Sequence, residues 1–140
     1  MSKKLWICTT LVSIGLLGCD SMPRALAEPC TPGICKVEVT VVDCVVSVQP
    51  DPLPVPMPRG GKDIHWDIVS NDYVFADNGI VLKTPDDEFD LPELKDARKK
   101  FKLHDKHTKW GDYPYSVNVI KTGGADPRAC PTHDPVISNE

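Results

Sequence analysis

Residues 63–69 have the sequence Asp63-Ile64-His65-Trp66-Asp67-Ile68-Val69, in which apolar and polar side chains alternate with a period of two. Successive side chains of a β-strand point to opposite faces of its sheet. This stretch therefore predicts a half-buried strand with Ile64, Trp66 and Ile68 on the core side. We expect Trp66, the largest of the three, to lie at the centre of the core.

The same alternation occurs before this strand, in Lys36–Val41, where β-branched residues favour a strand with Val37, Val39 and Val41 inward. After Asp43 the phase shifts by one residue, because Cys44, Val46 and Val48 then share a face. A bulge or a tight turn is expected at Val42-Asp43. The pattern fits one kinked strand and a hairpin equally well.

More strands are predicted after residue 69. Tyr73–Phe75 and Ile80–Leu82 flank the turn signal Asp77-Asn78-Gly79, which predicts a hairpin. Tyr115–Val119 and Pro135–Ser138 are two further strands. The segment from Pro50 to Pro58 has proline at every second position, so it fits a sheet edge or the surface.

One helix is predicted, at about residues 91–101. Asp90 is a suitable cap, Pro92 suits the first turn, and Glu93 follows the cap by three residues. An apolar stripe with helical spacing would face the core: Leu91, Leu94, Ala97 and Phe101. The resulting fold class is mainly β, an antiparallel sandwich with one short surface helix.

A family resemblance rests on five short patterns: Ile64-x-Trp66-x-Ile68, Tyr73-x-Phe75, Gly79-Ile80, Tyr115-x-Val117-x-Val119 and Asp134-Pro135-x-Ile137-x-Asn139. Together they resemble the core of bacterial proteins with an immunoglobulin-like or cupredoxin-like β-sandwich. The resemblance spans about Lys36 to Glu140. It implies an immunoglobulin-like sandwich as the fold and does not specify a function.

The N-terminal segment has the layout of an export signal. Lys3 and Lys4 precede an uncharged apolar run from Leu5 to Gly18, which is short for a membrane span. Leu16-Leu17-Gly18-Cys19 resembles the bacterial lipobox, which implies cleavage before Cys19 and attachment of acyl chains such as palmitate to that cysteine. Residues 1–18 would then be a signal peptide, and the protein would be lipid-anchored in the periplasm. The alternative is cleavage after Ala27, which would give a secreted protein.

The predicted cleavage before Cys19 determines which cysteines remain available for disulfides. Cys8 would be lost with the signal peptide and Cys19 would carry lipid, which leaves Cys30, Cys35, Cys44 and Cys130. Four thiols in a small exported domain predict two disulfides. We prefer Cys30–Cys35 around the Pro32-Gly33 turn and Cys44–Cys130 across the domain, and other pairings stay open. We therefore expect residues 19–34 to be a lipidated tether and 35–140 to be one β-sandwich domain.

Composition excludes one class of partner. The chain has 16 basic and 20 acidic residues and a net charge of −4, and loss of the signal peptide would make it more acidic. Neutralising phosphates drives nucleic-acid affinity, so we expect no nucleic-acid binding. The expected partners are the membrane, through the lipid, and an envelope protein or a glycan.

Candidate chemistry is sparse. A copper or zinc site could use His65, His104, His107 and His133 with Cys130, although a disulfide at Cys130 would remove the thiolate. Self-processing or aspartic-type peptidase activity could use the aspartates of Asp51-Pro52, Asp126-Pro127 and Asp134-Pro135, provided that two carboxyl groups share a proton. Gly-x-Ser-x-Gly is absent, which argues against serine hydrolysis.

We therefore expect a non-catalytic binding or structural module that needs no cofactor. Its binding residues are predicted in the insertion 83–113, before the strand at Tyr115, and the candidates are His107, Trp110 and Tyr113. Aromatic side chains supply most of the binding energy in many protein interfaces.

Overall fold

The structure is a computed structural model that describes residues 28–56, 60–84 and 86–140. The predicted signal peptide, the predicted lipidation site Cys19 and most of the predicted tether lie outside these residues. The described strands are β1 (Cys30–Thr31), β2 (Ile34–Val42), β3 (Val45–Gln49), β4 (Leu53–Val55), β5 (Lys62–Ile68), β6 (Tyr73–Leu82), β7 (Glu93–Lys95), β8 (Lys100–Asp105), β9 (Gly111–Lys121), β10 (Arg128–Ala129) and β11 (Val136–Asn139).

These strands form two mixed sheets. The first has the order β1-β2-β5-β8-β7, with β3 also paired to β2; the second has the order β10-β9-β11-β4, with β6 also paired to β9. The β2–β5 and β4–β11 pairs are parallel, so the prediction of purely antiparallel sheets is wrong. Between β2 and β5 the chain contributes β3 to the first sheet and β4 to the second, so β2 and β5 are not consecutive strands.

The buried faces of the two sheets share one core, an arrangement consistent with a β-sandwich. Trp66 of β5 and Tyr115 of β9 are fully buried and stack edge to face at 5.5 Å between ring centroids. The Trp66 Nε1–H donates to the Tyr115 hydroxyl at 3.0 Å, so both polar groups are satisfied in the interior. The predicted strand at residues 63–69 and the central place of Trp66 are confirmed.

The phase shift after Asp43 is a hairpin. Asp43 and Cys44 have φ values of 50° and 64°, and Val42 pairs with Val45 across them. A two-residue turn with positive φ at both positions matches the twist of the flanking strands. The hairpin directs Cys44 inward, in phase with Val46 and Val48.

Two disulfides are present, with the pairing preferred from the sequence: Cys30–Cys35 and Cys44–Cys130. Cys30 also pairs with Cys35 in the β1–β2 ladder, so strand pairing includes residues of the range predicted as the tether. The described ranges contain no helix that could span a lipid bilayer.

The predicted helix at 91–101 is wrong. These residues form β7, a short 3₁₀ turn at Asp96–Arg98 and the start of β8. Leu91 is 88% exposed and Ala97 is also exposed, so the apolar stripe does not face the core. Phe101 and Leu103 instead alternate into the interior, and the ladder of β8 with β5 outweighs the local capping signal.

The hairpin predicted at Asp77-Asn78-Gly79 is also wrong. Both halves of β6 pair with β9, and the register shifts between Phe75 and Ile80. A Cβ on Gly79 would lie 2.7 Å from the Cβ of Phe75, so only glycine fits this bulge without displacement. The proline-rich segment supplies β4, which lies at the edge of its sheet as expected.

Candidate functional site

The three predicted binding residues lie on or beside the loop 106–110, which connects β8 to β9. Trp110 is 59% exposed, whereas His107 is only 3% exposed. Tyr113 is half-buried and stacks edge to face on Phe89 at 4.9 Å. Of the three predicted binding residues, only Trp110 is exposed to solvent.

Glu88, which the sequence analysis did not identify, lies buried beneath this loop. Its carboxylate accepts hydrogen bonds from the backbone N–H of Thr108, from the Thr108 hydroxyl at 2.5 Å and from the backbone N–H of Lys109 at 3.1 Å. Hydrogen bonds to an ionised acceptor are about twice as strong as neutral ones. Glu88 therefore fixes the backbone of the loop 106–110 directly before Trp110.

Asp105 is the second buried carboxyl group at this place. One of its oxygens, Oδ1, accepts the backbone N–H of His107 at 2.8 Å and the Asn139 side-chain amide at 3.4 Å. Phe89 forms a β-bridge with Asp105, and the Lys106 N–H donates to the Glu88 carbonyl at 2.9 Å. This pairing joins the segment that contains Glu88 to the end of β8.

We name Glu88, Asp105, His107 and Asn139 the carboxyl cluster. All four side chains are buried. Burial raises the pKa of Asp105, and the nearby Glu88 adds to the rise, while hydrogen bonds from His107 and Asn139 oppose it. Burial also acts to raise the pKa of Glu88, but the hydrogen bonds from Thr108 and Lys109 outweigh it and the net pKa is lowered.

A second polar cluster lies on the outer face of the first sheet. The His104 Nδ1 is 2.8 Å from Asp63 Oδ1, and the Lys102 ammonium is 3.0 Å from Asp63 Oδ2. These three residues, which we name the His104 cluster, line an open depression of about 240 Å³ together with Asp90, Leu91 and Glu93. Hydrogen bonding from His104 first, and then from Lys102, lowers the pKa of Asp63.

The other candidate residues do not converge. Within the described residues, no group of three His, Cys, Asp or Glu side chains is arranged to hold a metal ion, and Cys130 is in a disulfide. The aspartates of the three Asp-Pro bonds, Asp51, Asp126 and Asp134, are exposed. Asp134 binds Lys83 at 2.7 Å and Ser116 at 2.8 Å, so it acts as an ordinary surface acceptor.

One signal in the sequence pointed to the carboxyl cluster. Asp105 is in phase with Phe101 and Leu103, so once this stretch is treated as a strand, Asp105 falls on its buried face. Glu88 carries no comparable signal, because it lies in the acidic stretch Asp86-Asp87-Glu88, which looks like a solvated surface.

No family model matches the chain, and no curated protein is significantly similar to it.

Proposed function

We propose that this protein is a bacterial envelope lipoprotein, attached through lipid on Cys19, whose β domain is a non-catalytic binding module. The ligand contact is Trp110. The observation that carries the proposal is the exposed indole at the end of a loop fixed from below by Glu88. The fold family in this proposal is the immunoglobulin-like or cupredoxin-like sandwich named above.

The arrangement around Trp110 suits binding for an energetic reason. An exposed tryptophan offers a large apolar surface, and tryptophan is enriched among the residues that dominate binding energy. Ordering a loop on binding costs free energy, so a loop that is already held loses less. The hydrogen bonds from Thr108 and Lys109 to Glu88 supply that order before any partner arrives.

Export is supported by the cysteines. The Cys44–Cys130 disulfide joins residues 86 positions apart, and the Cys30–Cys35 disulfide links β1 to β2. Disulfides persist in oxidising compartments and are rare in the cytosol. The self-processing and the copper or zinc alternatives gain no such support, because the Asp-Pro aspartates are exposed and Cys130 has no free thiolate.

Lipidation is tested by the intact mass of the protein recovered from bacterial membranes. We expect the wild-type chain to begin at Cys19 and to carry acyl mass, and Cys19→Ser to abolish both. Cys8→Ser is the matched control, because this cysteine precedes the cleavage site and its loss leaves lipidation unchanged. A wild-type mass that begins at Glu28 would instead make the protein a secreted one.

Binding through Trp110 is tested by site-specific photo-crosslinking in cells. A photo-reactive phenylalanine analogue is placed at position 110 or at position 91, where Leu91 is a matched control because it is even more exposed. We expect a discrete adduct only from position 110. Co-sedimentation of wild-type protein and Trp110→Ala with isolated peptidoglycan tests a glycan partner in the same way. The proposed contact would be contradicted if positions 110 and 91 gave adducts in equal yield and if wild type and Trp110→Ala sedimented equally with peptidoglycan.

A further inference from the structure

The strand β3 has one edge that no other described strand covers. β3 pairs antiparallel with β2 along its whole length and with no further strand of the described ranges. The Val42–Val45 pair closes the two-residue turn, so every second residue of β3 exchanges backbone hydrogen bonds with β2: Val45, Ser47 and Gln49. The backbone N–H and C=O groups of Val46 and Val48 therefore point to the opposite, open edge.

The hydrogen bonds of β2 agree with this phase. On the β5 side, the Val39 carbonyl accepts the Val69 N–H at 3.1 Å. Odd-numbered residues of β2 therefore direct their backbone groups to β5, and even-numbered residues direct theirs to β3, as the register requires. No further backbone hydrogen bond from the described residues reaches Val46 or Val48. Their outward groups are thus available to another strand.

The other sheet edges of the described part each carry a feature that hinders pairing with another chain. β7 presents Glu93 and Lys95, β4 has Pro54 at its centre, and β1 and β10 are only two residues long. On β6, the Arg98 Nε–H donates to the Phe75 carbonyl at 2.9 Å and takes up a backbone acceptor. Charges, prolines, covered groups and short length are the usual protections of edge strands. β3 has no charge and no proline in its sequence Val45-Val46-Ser47-Val48-Gln49.

This edge is an uncharged part of an acidic molecule. The chain has a net charge of −4, whereas Val45–Gln49 contains no ionisable side chain, and Val45 is 68% exposed. The two nearest acidic residues lie outside the strand. Asp43 is in the hairpin turn, and Asp51 accepts the Val136 N–H at 3.2 Å. Two copies of the chain therefore meet at this edge without like charges on the paired strands.

We propose that β3 pairs antiparallel with β3 of a second copy of this chain, about a two-fold axis at Ser47. In this register Val46 faces Val48 of the second copy, and four backbone hydrogen bonds join the two strands. Ser47 faces Ser47 of the second copy on the outer surface, and Val45 faces Gln49. The first sheets of the two copies then form one continuous sheet.

A second copy fits this edge better than an unrelated extended peptide. The contact is isologous, since the same edge serves both copies and the register that satisfies Val46 and Val48 in one copy satisfies them in the other. Specific recognition of an unrelated strand comes from its side chains. The inward side chains of β3 are packed in its own core, and its outward ones are uncharged: Val45, Ser47 and Gln49.

Cysteine crosslinking of the full chain tests the register. Ser47→Cys is expressed in a bacterium, and the cells are treated with diamide, a thiol oxidant. Opposed residues of a non-hydrogen-bonded antiparallel pair have Cα atoms about 4.5 Å apart, which is within the range of a disulfide. We expect a covalent dimer on a non-reducing gel, in clear excess over wild type and lost on reduction.

Gln49→Cys is the matched control. Gln49 is exposed on the same face of the same strand, but its counterpart in the second copy would lie about 13 Å away along the strand, beyond the reach of a disulfide. Equal dimer yields from the two variants, or no dimer from Ser47→Cys, would overturn the proposal. A mixed disulfide between Ser47→Cys and a different protein would assign the edge to another partner and would overturn it as well.

Charge substitution at the axis gives an independent test. Two differently tagged full chains are co-expressed and purified through one tag. Ser47→Lys in both copies places like charges opposite each other, so co-purification should fall about fivefold. Gln49→Lys in both copies adds the same charge opposite Val45, away from the axis, and should have a smaller effect.

The mixed pair distinguishes a facing contact from a damaged fold. Ser47→Lys in one copy and Ser47→Glu in the other place opposite charges at the axis, so co-purification should recover. A mixed pair that stays as weak as the Ser47→Lys pair would contradict the two-fold axis at Ser47. Neither test involves Trp110, so failure of the proposed binding contact and failure of the dimer are distinguishable.

Discussion

His104 and Asp105 are consecutive residues of β8, yet their side chains lie in opposite environments. His104 points to the outer face and forms a half-buried cluster with Asp63 and Lys102. Asp105 points to the inner face and lies fully buried. The alternation of a single strand thus produces one polar cluster in water and another in the protein interior.

The acidic groups of the two clusters are bound by different kinds of partner. In the His104 cluster, Asp63 meets an imidazole and an ammonium group, but water competes for all three and the net gain is small. In the carboxyl cluster no ion pair is formed among the described residues, and backbone N–H groups and the Thr108 hydroxyl donate to the carboxyl groups instead. Burial therefore turns acidic residues from weak surface partners into groups that determine the conformation of a loop.

Glu88→Ala tests this difference with the largest expected effect. The change removes the acceptor of three loop hydrogen bonds, so we expect the free energy of unfolding at neutral pH to fall by about 3 kcal/mol. Asp63→Ala is the matched change in the His104 cluster, and its loss should stay below about 1 kcal/mol. Urea denaturation of both variants measures the difference. Similar losses for the two would remove the distinction between the clusters.

Salt should increase the difference between the stability losses caused by Glu88→Ala and Asp63→Ala. Raising NaCl from about 0.1 M to about 1 M shortens the screening length from about 10 Å to about 3 Å, and exposed charges are screened most. The stability difference between wild type and Asp63→Ala should therefore shrink towards zero. The difference between wild type and Glu88→Ala should persist, because its hydrogen bonds lie out of solvent. Urea midpoints at the two salt concentrations check this, and a salt-sensitive Glu88 effect would argue against burial as the cause.

The strands of the core were predictable because their signal is local. Ile64, Trp66 and Ile68 alternate within one short stretch, and burial follows the same period in the structure. The region at 91–101 failed because the signal there is not local. Asp90 and Glu93 resemble a helix start, but β8 pairs with β5, where Asp63 faces His104 from 41 positions earlier in the chain. No pattern inside 91–101 encodes that contact.

The site was predictable only in part, for a related reason. Trp110, Tyr113 and His107 were chosen as polar or aromatic residues in one stretch, and only Trp110 of the three is exposed. Their exposures differ because the loop folds back over Glu88, which binds Thr108 at a distance of 20 positions in the chain. An acidic residue in an acidic stretch gives no sign that it will be buried by such a contact.

The smallest predicted effect concerns Gly61, which lies against the His104 ring. A Cβ at this position would be 2.6 Å from the ring atoms Cε1 and Nε2, so Gly61→Ala should push the imidazole away from Asp63. Hydrogen bonding from His104 is the main cause of the lowered pKa of Asp63, so that pKa should rise part of the way back towards 3.8. Carbon-detected NMR of the Asp63 carboxyl carbon measures the change.

Stability should respond much less than the pKa of Asp63. The lowered pKa means that the contribution of Asp63 is complete above its ordinary value and is lost only as the pH falls below it. At neutral pH we therefore expect Gly61→Ala to cost less than about 0.5 kcal/mol, since Lys102 still binds Asp63 and the ring is free to move into solvent. Lys102→Ala is the complementary change, because it leaves His104 in place and removes the other partner. A larger loss from Gly61→Ala would mean that the His104 ring supports the sheet by packing and that the outer cluster is not merely a surface ion pair.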